Sequence, residues 1–356
     1  MADNSLVQKV QNLSDIELAV LICLVNQEHC IIKTVPVSID DLVRELQLVL
    51  TKDFGLKHAV LDCNRHTTLD VFNSIILPLE NSRSRSKSPV QTRHDVYFLG
   101  TPTRSTAIRS PEEDRSMVNV IIAKNLNQAP RQIQMQALEL MKTKRLYVQA
   151  ELYTAPKRFL VIAALAGVED LSLMKHLNDY MFISHFHHFK DEFSNLEESY
   201  DDEGSNSSVI IKSLDLKRPN EPIEPVISSQ EIERLTNLTN MTTFSMEVKQ
   251  YQMNIISFLR LHRAVGGGIT ATATKYFDKL SRCLAPLHNL TYVTPSLVAL
   301  AAKKIYMHRI QIVKPENERS MQWGSELEAV SELLEGVGPE EVLDDVLGEL
   351  GAEVPI

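Results

Sequence analysis

"VNVIIAKNLNQAPRQIQMQALELMKTKRLYV", residues 118–148, holds three kinds of signal in a row. Val118, Val120, Ile121 and Ile122 make a short apolar run that reads as a buried strand, and "NQAP" reads as its exit turn. Ile133, Ala137, Leu138 and Met141 then recur on one face at helical spacing. "RLYVQAELYTA" (145–155) alternates like a hairpin, and "KRFLVIAALAG" (157–167) is continuously apolar, as buried central strands of α/β sheets are. Strand, helix, hairpin and strand therefore follow one another.

Upstream, Ser14 with Glu17 three positions later is a capping box ahead of an apolar helix, and "SIDDLVRELQLVL" is a second helix with Ser38 as its cap. "HAVLDCN" (58–64) reads as a strand and "LDVFNSIILPL" as the helix after it. Residues 81–94, "NSRSRSKSPVQTRH", have no apolar periodicity and read as a disordered insert whose serines, set among basic residues, admit phosphorylation. "DVYFLGTP" reads as a short strand. Residues 194–229 form a second insert, acidic and then Pro-rich. Beyond it the chain is helical. The tail, "ELEAVSELLEGVGPEEVLDDVLGEL", is two acidic amphipathic helices whose Leu/Val spacing suits docking on a partner or on the parent domain. The organisation expected is N-terminal helices (1–50), an α/β core (51–193), the acidic insert (194–229), a helical lid (230–313) and an acidic helical tail (314–356).

The 356 residues carry a net charge of −9, which argues against a general nucleic-acid binder, because phosphate binding needs a basic surface. Cys23, Cys30, Cys63 and Cys283 form no C-x-x-C pair, so reduced thiols in an intracellular protein, cytoplasmic or nuclear, are expected. The apolar run "IELAVLICLV" is about half the length a membrane span needs, so no membrane partner is expected.

The order of elements and two distant blocks resemble an AAA+ module of the MoxR and magnesium chelatase I-subunit clade. The first block is residues 123–148, where Asn127, Ala129, Pro130, Gln134, Ala137, Leu138, Glu139 and Met141 fit the clade's D-E-x-N-R-A-P strand exit and following helix. The second, "GGGITATATKYFDKLSRCLAPLHNLTYVTPSLVALAAKKIYMHRI" (266–310), resembles its lid helices. The resemblance spans about residues 55 to 313 and implies an AAA+-type parallel sheet with flanking helices, followed by an all-α lid domain.

The departures from that clade decide what the resemblance implies for activity. Its ATPases need a glycine-rich loop ending in Lys-Thr, whose N–H groups wrap the phosphates while the hydroxyl holds Mg²⁺. The strand exit matched to it reads "DCNRHTTLDVF", with no glycine and no lysine ahead of Thr67 or Thr68; Arg65 offers charge without the cradle. The metal-holding and water-activating acids fall on Lys124 and Asn125, and the polar sensor on Ala166. The finger arginine falls on Tyr180 and the lid arginine on Thr272. No catalytic residue is expected to remain. The implied function is an interaction or scaffold module with protein partners or self-assembly and no cofactor. The alternative is an ATP-dependent magnesium chelatase-type subunit using ATP and Mg²⁺.

Two further motifs bear weighing. "HLNDYMFISHFHHF" places His176, His185, His187 and His188 close together, and His185 with His188 would be i, i+3 on a helix. The reading preferred is a strand or helix edge with incidental histidines and no metal. "VGGGIT" (265–270) follows a helix and has no lysine in place for a phosphate, so it reads as a loop between lid helices. No nucleophile–His–acid triad can be assembled.

Overall fold

The computed structural model describes residues 4–77, 117–148, 151–167, 173–188, 225–348 and 351–355. The basic insert 81–94, "DVYFLGTP" and most of the acidic insert fall outside these ranges.

The chain opens with α1 (Asn4–Gln11) and α2 (Asp15–Asn26). The capping box forms: the Ser14 hydroxyl accepts from the Glu17 N–H at 3.4 Å, and Glu17 Oε2 accepts from the Ser14 N–H at 2.7 Å. The next element corrects the expectation of a purely helical first fifty residues. Cys30–Thr34 is a strand, β1, and α3 (Ile39–Lys52) follows it. Then come β2 (His58–Asp62), α4 (Leu69–Ile76), β3 (Val120–Lys124), α5 (Arg131–Thr143), the hairpin β4–β5 (Arg145–Val148, Glu151–Thr154), β6 (Leu160–Ala166), α6 (Lys175–Tyr180) and β7 (Ile183–His187).

Five strands form one sheet in the order β2-β3-β6-β1-β7, every neighbouring pair parallel. Side chains alternate between its faces. Ile32, Val120, Ile122 and Ile162 join α2, α3 and the later helices in one core, while Ile31, Ile121, Val161 and Ala163 join α4, α5 and α6 in the other. Because β7 is a strand, His185 and His188 do not share a helix face, and among the described residues no group of His, Cys, Asp or Glu could hold a metal ion.

The lid comprises α7 (Ser229–Met241), α8 (Met246–Leu261), β8 (Val265–Gly267), α9 (Ala271–Leu287), α10 (Pro295–Tyr306) and β9 (Gln311–Ile312). "VGGGIT" is thus not a loop throughout: β8 pairs antiparallel with β9. α7 and α9 pack on α2, and α10 packs on β7, so the lid shares the first core with the sheet. The tail helices α11 (Leu327–Leu334) and α12 (Pro339–Leu347) follow. α12 lies against α8 and α10 and buries Val342, Leu343 and Val346, so the tail docks on its own lid. Among the described residues no helix is long and apolar enough to cross a membrane.

His29, just ahead of β1, ties the two cores together. Its Nδ1 accepts the Val161 N–H at 3.0 Å, and its ring packs between Phe159 and Tyr180. Burial, helped by Lys144, lowers its pKa from the usual 6.5 to about 3. The unfolded chain therefore binds a proton between those values that the folded chain refuses, and stability falls as pH falls through that window. His29→Gln keeps an acceptor and a donor but does not titrate. Between pH 7 and pH 5 wild type is expected to lose about 2 kcal/mol more stability than the variant in urea denaturation. Asp53, whose pKa burial and Glu17 raise to about 7, acts in the opposite direction but equally in both proteins and cancels.

Candidate functional site

In open parallel sheets the binding crevice lies beyond the carboxyl ends of the strands, where the winding reverses. β1 is that point here: the chain leaves it for the far edge, returns through β2, β3 and β6, then passes over β1 to reach β7. The loop at the crevice is therefore Val35–Ser38, running from β1 into α3. This corrects the match of the phosphate loop to "DCNRHTTLDVF". That segment leaves β2, the edge strand, and its polar groups serve local structure. The Thr67 hydroxyl accepts from the Asn64 N–H at 2.9 Å, the Thr68 hydroxyl caps α4 through the Val71 N–H at 3.4 Å, and Arg65 is exposed. Sequence patterning gave no sign of the loop at the crevice, because "VPVS" contains neither glycine nor lysine. It makes one 3-10 turn, Pro36–Ser38, and α3 starts at once.

Lys124 ends β3 beside this loop. Its side chain is 16% exposed, and its Nζ lies 2.5 Å from Asp40 Oδ1 in the first turn of α3. Asp62 stands opposite it in the β2–β3 register. The hydrogen bond it donates to Asp40 raises the ammonium's pKa; burial offsets part of this, and Asp62 adds to it. A helix N-terminus carries partial positive charge and attracts anions. Here the anion is the chain's own Asp40, and the cation beside it is the chain's own Lys124. Asn125 has a left-handed backbone, φ 52°. Its N–H donates to the Ala164 carbonyl at 2.7 Å, and its Oδ1 accepts from the Ala166 N–H at 3.3 Å. Asn125 and Ala166 thus join the ends of β3 and β6, and Ala166 adds no polar side-chain atom.

Tyr180 and Thr272 lie apart from this group. Tyr180 precedes β7, at the opposite edge of the sheet, and its ring stacks on His29 with centroids 6.2 Å apart. Its carbonyl accepts from the Tyr276 hydroxyl at 3.4 Å. Thr272 is in the first turn of α9, whose cap, Thr270, donates to Asp179 Oδ1 at 2.6 Å. Both positions belong to the seam between core and lid.

That seam holds residues that sequence reasoning missed. Arg309, 2% exposed, donates to the carbonyls of Asp179, Met181, Phe182 and Ile305. Its Nε is 3.7 Å from the Asp179 carboxylate, and its guanidinium lies 5.4 Å from the Tyr276 ring centroid. Burial lowers its pKa to about 10, which leaves it charged at neutral pH. Lys279 of α9 completes the clamp, reaching the Asn26 carbonyl at 2.7 Å and Glu28 Oε1 at 2.6 Å. The one sequence signal was a cation, Arg309, embedded in the apolar string "IYMHRIQI".

No protein-family model matches the chain, and no curated protein matches it. Solved structures do. The crystal structure of a candidate ATPase from Cytophaga hutchinsonii superposes with a TM-score of 0.60 over 94% of this chain and 94% of that one, at 16% identity. A full-length MCM homologue from Methanopyrus kandleri gives a TM-score of 0.44 at 10% identity, covering 86% of this chain and 58% of that one. With the strand order and the helical lid, the first likeness shows an AAA+-type fold.

Proposed function

We propose that this chain is a MoxR- and magnesium chelatase-like AAA+ protein that has lost ATP hydrolysis and serves as an interaction or scaffold module. The observation that carries the proposal is the Lys124–Asp40 ion pair at the crest of the sheet. Hydrolysis needs Mg²⁺ held by oxygen ligands at the end of β3, and an ammonium there repels the metal. It needs backbone N–H groups folded around the phosphates, and Val35–Ser38 has no glycine and one proline, which removes a donor. Tyr180 cannot replace a finger arginine, a part worth roughly 10³–10⁵ in rate in NTPases. With the crest closed by its own charges, what remains for function is surface.

A second reading, an ATP-dependent magnesium chelatase-type subunit, draws on the fold likeness to the Cytophaga candidate ATPase. Phosphate release by the purified full chain, with and without Mg²⁺, separates the two. The expected result is no magnesium-dependent release from wild type. None is expected from Lys124→Asp with Asn125→Glu either, because the missing parts act as a unit and repair of one pair does not recover the rate. Magnesium-dependent release by wild type, abolished by Asp40→Ala, would establish the chelatase-type reading instead.

A further inference from the structure

Between α11 and the segment running from β9 to Pro315 lies an open groove of about 700 Å³. Ile312, Val313, Pro315 and Leu334 give it an apolar trough, and Leu327 stands at its rim, 46% exposed. Glu328, Glu332 and Glu335 line it as well, against a single cation, Lys314, so the lining is acidic on balance. Glu328 and Glu332, at i and i+4, share one side of α11, Glu335 is its extended C-terminal cap, and all three are exposed. On the neighbouring α12, Asp344 already has a cation, Lys303 at 2.7 Å. Among the described residues Glu328, Glu332 and Glu335 form no ion pair.

This arrangement works against α11 twice. Like charges at i, i+4 and i, i+3 repel along a helix face. Glu332 and Glu335 also sit at the carboxyl end, where the helix dipole favours cations. A cationic occupant would relieve both effects, and an anionic or neutral one neither. Glu328 and Glu332 stand about 6 Å apart along α11 with Glu335 just past its end, so Lys or Arg one turn apart on a partner helix would match the first two, and a further cation the third.

We propose that this groove binds a short basic amphipathic helix of a partner protein. Two aliphatic side chains enter the trough, and Lys or Arg side chains pair with Glu328, Glu332 and Glu335. The inference supplies the partner chemistry for the scaffold reading and rests on that reading only for its biological purpose. A chain that hydrolyses ATP and also binds the peptide would end the scaffold reading and leave this site standing.

The test is fluorescence anisotropy of the full chain with a labelled four-turn peptide carrying Leu on one helical face and Lys on the others. A scrambled peptide of the same composition, with no shared Leu face, is the control. Saturable binding is expected, weakening with salt as screening shortens. Glu328→Lys with Glu332→Lys should weaken it about tenfold or more, and so should scrambling, whereas Glu151→Lys with Glu247→Lys, an equal charge change elsewhere, should leave it within about twofold. Both charge-reversed proteins should stay folded, with melting points within a few degrees of wild type, since the substituted carboxylates are exposed and helix-end charges contribute only about 0.3–1 kcal/mol each. Equal weakening by the two double variants, equal binding of the scrambled peptide, or absence of saturable binding would overturn the site and leave only attraction to the net charge.

Discussion

Arg309→Met should destabilise the folded chain by about 3–5 kcal/mol, the usual consequence of removing one partner from a buried charged network. Methionine keeps much of the volume, so the loss is polar rather than a cavity. The carbonyls of Met181 and Phe182, at the start of β7, lose a charged donor in a place water does not reach. Asp179 loses its cation but keeps Thr270 as a donor, and at 28% side-chain exposure it stays partly hydrated. Asp179→Asn should therefore cost much less, about 1 kcal/mol. Urea denaturation followed by circular dichroism reads both. A midpoint for Arg309→Met within error of wild type would mean that Arg309 does not clamp the lid. Arg309 and Lys279 bind the lid to β7 and to the end of α2 through charged hydrogen bonds. These contacts hold the lid on the core through the chain's own side chains.

Local periodicity carried residues 118–166 well. The apolar run at Val120–Ile122, the helical face of Ile133, Ala137, Leu138 and Met141, and the continuous run Leu160–Ala166 each report on neighbours a few positions away. The two capping boxes, Ser14–Glu17 and Ser228–Glu231, are as local, although the second was hidden inside the expected acidic insert. β1 escaped for a local reason too. Its five residues follow an apolar helix after only a short polar stretch, residues 26–29, which lacks the Gly or Pro that would mark a change of conformation. Missing β1 then left the edge strand β2 in the role of the central strand, so the crevice was sought at the wrong strand exit. Sheet order is a non-local property. So are the contacts that define the site: Lys124 meets Asp40 across 84 positions, and Arg309 meets Asp179 across 130. No periodicity encodes such pairs. The strand ends at Lys124 and Ala166 were nevertheless legible, because periodicity locates them.

Gly268→Ala should cost about 3–5 kcal/mol, because it combines a disfavoured backbone with a clash that no rotamer relieves. Gly268 has φ 101°, a conformation that side-chain-bearing residues rarely adopt. A Cβ there would lie 1.8 Å from the Arg309 carbonyl oxygen and 2.5 Å from its carbon. Both are backbone atoms, so the main chain itself must move. Arg309 is held by its own N–H to the Tyr306 carbonyl at 2.9 Å, and the strand after it by the Val313 N–H to the Ala264 carbonyl at 2.8 Å. Displacing that backbone drags the guanidinium away from Met181 and Phe182, so Gly268→Ala with Arg309→Met should cost clearly less than the sum of the two. Gly267 is the internal control. Its φ is not in the left-handed range, and a Cβ there meets only the flexible end of Gln311 at 3.3 Å, so Gly267→Ala should cost about 1 kcal/mol or less. A phosphate cradle would need both glycines for binding and neither especially for stability. A steep difference in unfolding midpoint between the two variants therefore identifies "VGGGIT" as the place where the lid's backbone passes against Arg309. Equal midpoints would remove Gly268 from the clamp.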